Sequence, residues 1–252
     1  MHAVDTAAPT AGITSWVHPT GQSPRSVVIL GLGPTSNEWH AANFHYVPGL
    51  PPVDEVWTVN KGARTVVCDL AFVMDDLVGE YRKAPAYLDD LVRSGRPIIT
   101  SAIDAAVLEL VPAFARSRFV EYPLQDVLEE VGGIVRAARL ARAADSAAPR
   151  ALEDEQSDLW LGTRNGYYFH NSIPYMLAYA LAIGVESVLL FGCDYTFPGT
   201  DIREDDRANA EYWVGFLRAA GVRVTVSSST TLLNARRQPW AYGFGARQPV
   251  IE

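Results

Sequence analysis

Cysteine is scarce in this chain, with two in 252 residues, Cys68 and Cys193. Each falls at a predicted strand or just beyond one, and no metal-type spacing exists, so they read as buried thiols of a reducing compartment more readily than as a disulfide. No apolar run reaches the roughly 18 residues that a membrane span requires. The first 22 residues are rich in Ala, Thr, Gly and Pro but lack a basic stretch followed by an apolar core, so they do not read as a secretory signal. They are expected to form a loose arm, with the cytoplasm as the default location. Positive charge is in deficit: 21 Lys and Arg stand against 29 Asp and Glu, a formal net charge of -8. That balance argues against a broad electrostatic grip on nucleic acid and leaves free nucleotides as ligands. No internal repeat is evident.

What is present is core-forming material, 48% hydrophobic and 10% aromatic residues, enough for one large α/β domain or two small ones. Ser26-Val27-Val28-Ile29-Leu30 reads as a buried strand that feeds the turn Gly31-Leu32-Gly33-Pro34-Thr35. Glycine at Gly31 and Gly33 lets a backbone approach a phosphate closely, and Thr35 and Ser36 add hydroxyls beside it. A turn that merely packs strand against loop is the plainer alternative. The dinucleotide fingerprint needs a third glycine where this chain has Ser36, which disfavours a nicotinamide or flavin enzyme.

Further strands are predicted over Asp54 to Asn60, Arg64 to Leu70, Arg96 to Ser101 and Arg118 to Tyr122. Helices are predicted over Ala84 to Ser94 and Asp104 to Phe114. The stretch from Ile134 to Asp158 reads as a helix and an exposed acidic loop. Trp160 to Phe169 carries an Asn165-Gly166 hairpin signal between aromatics. A clear final unit follows: helix Ser172 to Ile183 stopped by Gly184, strand Ser187 to Phe191, helix Asp206 to Ala219 stopped by Gly221, and strand Val222 to Ser227. This alternation predicts a single Rossmann-like α/β domain at 23–233. Its sheet should be mostly parallel and doubly wound, with helices on both faces and the ligand crevice beyond the carboxyl ends of the strands. Residues 1–22 are the arm and 234–252 a tail. Arg236, Arg237, Trp240, Tyr242 and Phe244 of the tail suit a nucleotide contact or, more simply, a fold-back or subunit contact.

Several polar residues fall at the predicted crevice. Asn171 and Ser172 open a helix whose free N–H groups and dipole attract phosphate and sugar oxygens, or else simply cap it. His170, just before them, is a candidate general base or a histidine bonded into the hairpin. Asp194 follows a buried strand and Gly192, so it should project into the crevice to bind a ribose, an acceptor or a cation. Asp75 and Asp76 form an acid pair able to hold Mg2+ against a diphosphate, or to cap the helix that follows. Asp201, Glu204, Asp205 and Asp206 read as an exposed helix start and are further candidates for a base.

Taken together, Val27 to Thr35, Val59-Asn60 and His170-Asn171-Ser172 leading to Gly184 through Tyr195 resemble the bacterial sialyltransferases that use CMP-activated sialic acid. Related proteins in that superfamily include archaeal 6-hydroxymethylpterin diphosphokinases. The resemblance implies that Gly31, Gly33, Pro34 and Thr35 meet the nucleotide, that Asn60 lies near the donor, and that Asn171 and Ser172 occupy a polar pair at a helix start. Two departures stand out. Leu32 replaces an asparagine within the glycine motif, and this chain has no histidine after His170, where the sialyltransferases place a general base. The expected activity is transfer of a sugar from a nucleotide-sugar donor to a hydroxyl of a glycan, a small molecule or a hydroxymethylated base of phage DNA. Alternatives are Mg2+-dependent pyrophosphate transfer to a small alcohol and nucleotide binding without catalysis. A homo-oligomer is compatible with either.

Overall fold

The computed structural model describes residues 17–45, 52–144, 168–195 and 204–233. Among these, seven strands form one sheet, β1 (Ser26–Leu30), β2 (Glu55–Val59), β3 (Leu70–Val73), β4 (Ile98–Thr100), β5 (Phe119–Glu121), β6 (Ser187–Phe191) and β7 (Arg223–Val226). Their order is β5-β4-β3-β2-β1-β6-β7, and every pairing is parallel. Parallel neighbours need long crossovers. The helices supplying them are α1 (Ser36–His45), α2 (Gly62–Thr65), α3 (Leu77–Lys83), α4 (Ala86–Ser94), α5 (Ala105–Leu110), α6 (Leu124–Ala144), α7 (Ser172–Ala182) and α8 (Glu204–Ala219).

The unbroken apolar run in β1 follows from burial on both faces, which removes the need for polar alternation. Val27 and Ile29 pack into a core with Met176, Leu177 and Ala180 of α7 and with Trp213 and Leu217 of α8. Val28 and Leu30 lie against Trp39 of α1, with Leu189 and Phe191 of β6. Across the sheet, Ala71 and Val73 of β3 join Leu88 and Leu91 of α4 and Val107 of α5.

The chain builds outward from β1 to β5 and then returns to the other side of β1 with β6. The switch point therefore lies between β1 and β6, where crevices open beyond the strands' carboxyl ends in such sheets. Gly31 follows β1 at that point and Gly192 follows β6.

Local signals set several boundaries. Asp104 caps α5 through Val107 N at 2.9 Å. Gly95, Gly184 and Gly221 end their helices at positive φ, a region that favours glycine. The strand expected over 64–70 is shifted: Gly62–Thr65 is helical, and pairing begins only at Leu70. Asn60 turns the chain at φ 45. Asp69 is then tied to β2, its side chain accepting from Val56 N at 2.8 Å and its own N donating to Val56 O at 2.8 Å. Val67 is left 83% exposed. α6 begins at Leu124, ten residues before the expected Ile134. α1, whose sequence carries no periodic apolar signal, follows the glycine turn directly.

The arm is not loose throughout, because His18 is 5% exposed. Its Nε2 donates to Glu55 Oε2 at 3.0 Å, its Nδ1 accepts from Tyr179 OH at 2.6 Å, and its ring stacks on Tyr179. Residues 145–167, with the acidic run and most of the hairpin, lie outside the described residues, as does the tail from 234 on. No helix of the described residues is long and apolar enough to cross a membrane.

Candidate functional site

The turns after β1 and β6 interlock. Gly31 N donates to Phe191 O at 2.8 Å and Gly33 N to Gly192 O at 2.7 Å. A Cβ at Gly31 would overlap the Gly192 carbonyl, and one at Gly33 would stand 2.6 Å from Asp194 Oδ2. Both glycines are thus required by the approach of one turn to the other. Both amides therefore have backbone partners across the junction.

Thr35 and Asp194 lock the same junction. Asp194 Oδ2 accepts from Thr35 N at 2.8 Å and from Thr35 Oγ1 at 2.7 Å, while Thr35 Oγ1 accepts from Gly192 N at 2.7 Å. Thr35 is buried, its amide and hydroxyl both engaged, so its hydroxyl clamps the two turns together. Asp194 Oδ1 is buried and has no partner among the described residues.

Beside this junction lies a cavity of about 470 Å³. Of the residues singled out in the sequence, Gly31, Leu32, Gly33, Asn60, Asp75, His170, Asn171, Ser172, Asp194 and Asp206 line it. Pro34, Thr35 and Asp76 are not part of its wall. The glycine bend and the start of α7 therefore share one hollow.

Asn60 closes β2 in the left-handed region, which asparagine tolerates better than most residues. Its Nδ2 donates to Asp75 Oδ2 at 2.7 Å, which fixes the amide, and Oδ1 is left buried without a partner among the described residues. Asn171 caps α7 by accepting from Ile173 N at 3.0 Å. It also donates to Asp206 O and accepts from the Tyr195 hydroxyl. Ser172, the first residue of α7, is buried at the cavity wall, and His170 is exposed at its rim.

The two adjacent acids lie differently. Asp75 lines the cavity, whereas Asp76 caps α3, its Oδ1 accepting from Val78 N at 3.1 Å. Among the described residues no group of three His, Cys, Asp or Glu side chains is placed to hold a metal ion.

Lys61, Glu80 and Tyr87 also line the cavity and had not been singled out. Lys61 directly follows Asn60, and α3 follows β3, so the strand-end rule pointed toward their neighbourhood. Tyr87 on α4 carried no such signal, because it reads as the apolar stripe of that helix. Burial, with the Asp75 and Glu80 charges, pushes the Tyr87 phenol up. Burial likewise raises Tyr195 and takes the Cys193 thiol up to about 12, leaving both neutral at physiological pH.

Solved chains similar to this one include two of a sialyltransferase. One is the sialyltransferase CstII from Campylobacter jejuni in complex with a substrate analogue, CMP-3FNeuAc. It has 15% identity and a TM-score of 0.42, over 80% of this chain and 79% of that one. The other is CstII with cytidine-5'-monophosphate, at 15% identity and a TM-score of 0.43, over 83% of this chain and 82% of that one. No family model and no curated protein matches the sequence.

Proposed function

We propose that this chain is a nucleotide-dependent transferase, moving a sugar from a nucleotide-sugar donor to a hydroxyl acceptor. The observation that carries the reading is the cavity at the β1/β6 switch point, which gathers the Gly31–Gly33 bend, Asn60 and the start of α7. Its volume of about 470 Å³ falls within the range of small-molecule sites, about 300–1,000 Å³.

The donor's phosphate and sugar oxygens lie at the first turn of α7, beside Ser172, where the helix dipole favours negative charge. Asn60 Oδ1 and Asp194 Oδ1 accept hydroxyls of the donor. Asp194 is a positioning residue as well, since its other oxygen holds Thr35 and with it the bend after β1. His170, on the cavity rim, is the general base. It takes the acceptor O–H proton as that oxygen bonds to the anomeric carbon, while the bond from that carbon to the donor phosphate breaks and the phosphate leaves with the electron pair.

The test is a thermal-shift screen of CMP, UDP, GDP and ATP, with and without Mg2+, followed by nucleotide-release assays on the corresponding nucleotide sugars. One nucleotide should raise the melting temperature, and Asn60→Ala should reduce that shift. His170→Ala should keep the shift and lose about 100-fold or more in turnover. If none of the four nucleotides raises the melting temperature, the proposal is wrong.

A further inference from the structure

The cavity wall is strongly asymmetric in charge. Among the described residues that line it, Asp75, Glu80 and Asp194 set three carboxylates against one lysine, Lys61. On the side formed by α3 and α4, Tyr87 is 6% exposed, and its hydroxyl is shut off from water with no partner among the described residues. Asn60 Oδ1, at the border of that side, is an unpartnered buried acceptor whose orientation is fixed because Nδ2 donates to Asp75. Glu80 has one ion pair, to Lys83 at 2.7 Å, and that lysine side chain is 74% exposed, so the pair contributes little.

Unsatisfied buried polar atoms are costly, and a site that leaves them open is matched to a ligand that fills them. Here the open atoms and the charges are acceptors or anions: the Asn60 carbonyl, the Asp75 and Glu80 carboxylates, and a phenol oxygen able to accept. The matching group is rich in donors and positively charged. Neutral hydroxyls would leave the charge of the wall unbalanced.

We propose, resting on the transferase reading, that the wall made by Asp75, Glu80 and Tyr87 is the acceptor subsite and that it selects an amino sugar, binding its protonated amine. The ammonium donates to Asp75, Glu80 and the Tyr87 oxygen, leaving a ring hydroxyl to face His170.

Saturation-transfer NMR and calorimetry on the full chain, with and without the nucleotide that stabilises it, test this directly. Glucosamine, galactosamine and mannosamine are each compared with the N-acetyl derivative, which keeps the ring and removes the charge. At least one amine should bind tenfold or more tightly than its N-acetyl partner at pH 7. Glu80→Gln should cut that preference below threefold, and Tyr87→Phe should weaken the amine at least fivefold. Equal binding of amine and N-acetyl forms, no binding of either, or a preference that survives both substitutions would each overturn the inference. So would displacement of the amine by MgCl2 that itself raises the melting temperature, since the wall would then be a divalent-cation site. The nucleotide shift separates the two readings. If it persists while the amine preference is absent, only the acceptor inference fails; if no nucleotide stabilises the protein but the preference depends on Glu80 and Tyr87, the transferase reading fails.

Discussion

Replacing Thr35 by valine keeps the shape of the side chain and deletes the hydroxyl that joins β1 to β6. Two buried interactions disappear together: donation to the Asp194 carboxylate at 2.7 Å and acceptance from Gly192 N at 2.7 Å. A hydrogen bond to a charged group contributes about 1.5–3 kcal/mol and an orphaned buried N–H costs about 1–3 kcal/mol, so the expected loss is roughly 3–5 kcal/mol. That is a large part of the roughly 5–15 kcal/mol by which domains are stable. At about 2–4 °C per kcal/mol for a chain of this size, the melting temperature should fall by about 10 °C. Thr35→Ser is the control, since it keeps the hydroxyl and removes one methyl, worth about 1 kcal/mol. Urea denaturation followed by circular dichroism gives both values, with the midpoint moving and the slope unchanged. The reasoning fails if Thr35→Val lies within 1 kcal/mol of Thr35→Ser.

Gly31→Ala should be more damaging still, because the new Cβ meets the backbone carbonyl of Gly192; little folded protein is expected on size exclusion. Gly184→Ala meets nothing within 4 Å and carries only the strain of φ +82, so it should fold with a loss of about 1 kcal/mol, and the reverse ranking in denaturation would contradict the geometry. Burial pushes the Glu55 carboxyl up, but hydrogen bonds from His18, Thr20 and Trp57 outweigh it and hold the group below its ordinary 4.5. A lowered folded value stabilises the protein above pH 4.5, and that contribution is lost as the pH falls below it. Glu55→Gln should therefore flatten the acid limb of a stability profile, and an unchanged limb would count against the network. Burial raises the Cys68 and Cys193 thiols to about 11 and about 12. Ellman's reagent at pH 8 should react with neither in the native protein and with both in guanidinium.

The local devices were legible in the sequence because each acts over a few residues. The apolar run of β6 and the glycine after α7 gave boundaries matching the structure, Ser187–Phe191 and the stop at Gly184. Register around β3 was not legible: Val66 and Val67 look like strand residues, and only the tie between Asp69 and Val56 moves pairing to Leu70. At the site, the sequence supplied the glycines, Asn60, His170 and the start of α7, since residues just past strand ends and at helix starts can be marked from pattern alone. It could not supply Tyr87, whose spacing is that of a core residue.

By itself, then, the chain's pattern determined that parallel strands alternate with helices and which polar residues sit at their ends. Tertiary structure decided what those residues do. Thr35 and Asp194 are 159 positions apart, and only the return of β6 to the side of β1 brings a hydroxyl and a carboxylate into contact there. That contact makes Thr35 and one oxygen of Asp194 a clamp between the two turns. Strand order depends on long-range packing of both sheet faces, and no local propensity encodes it.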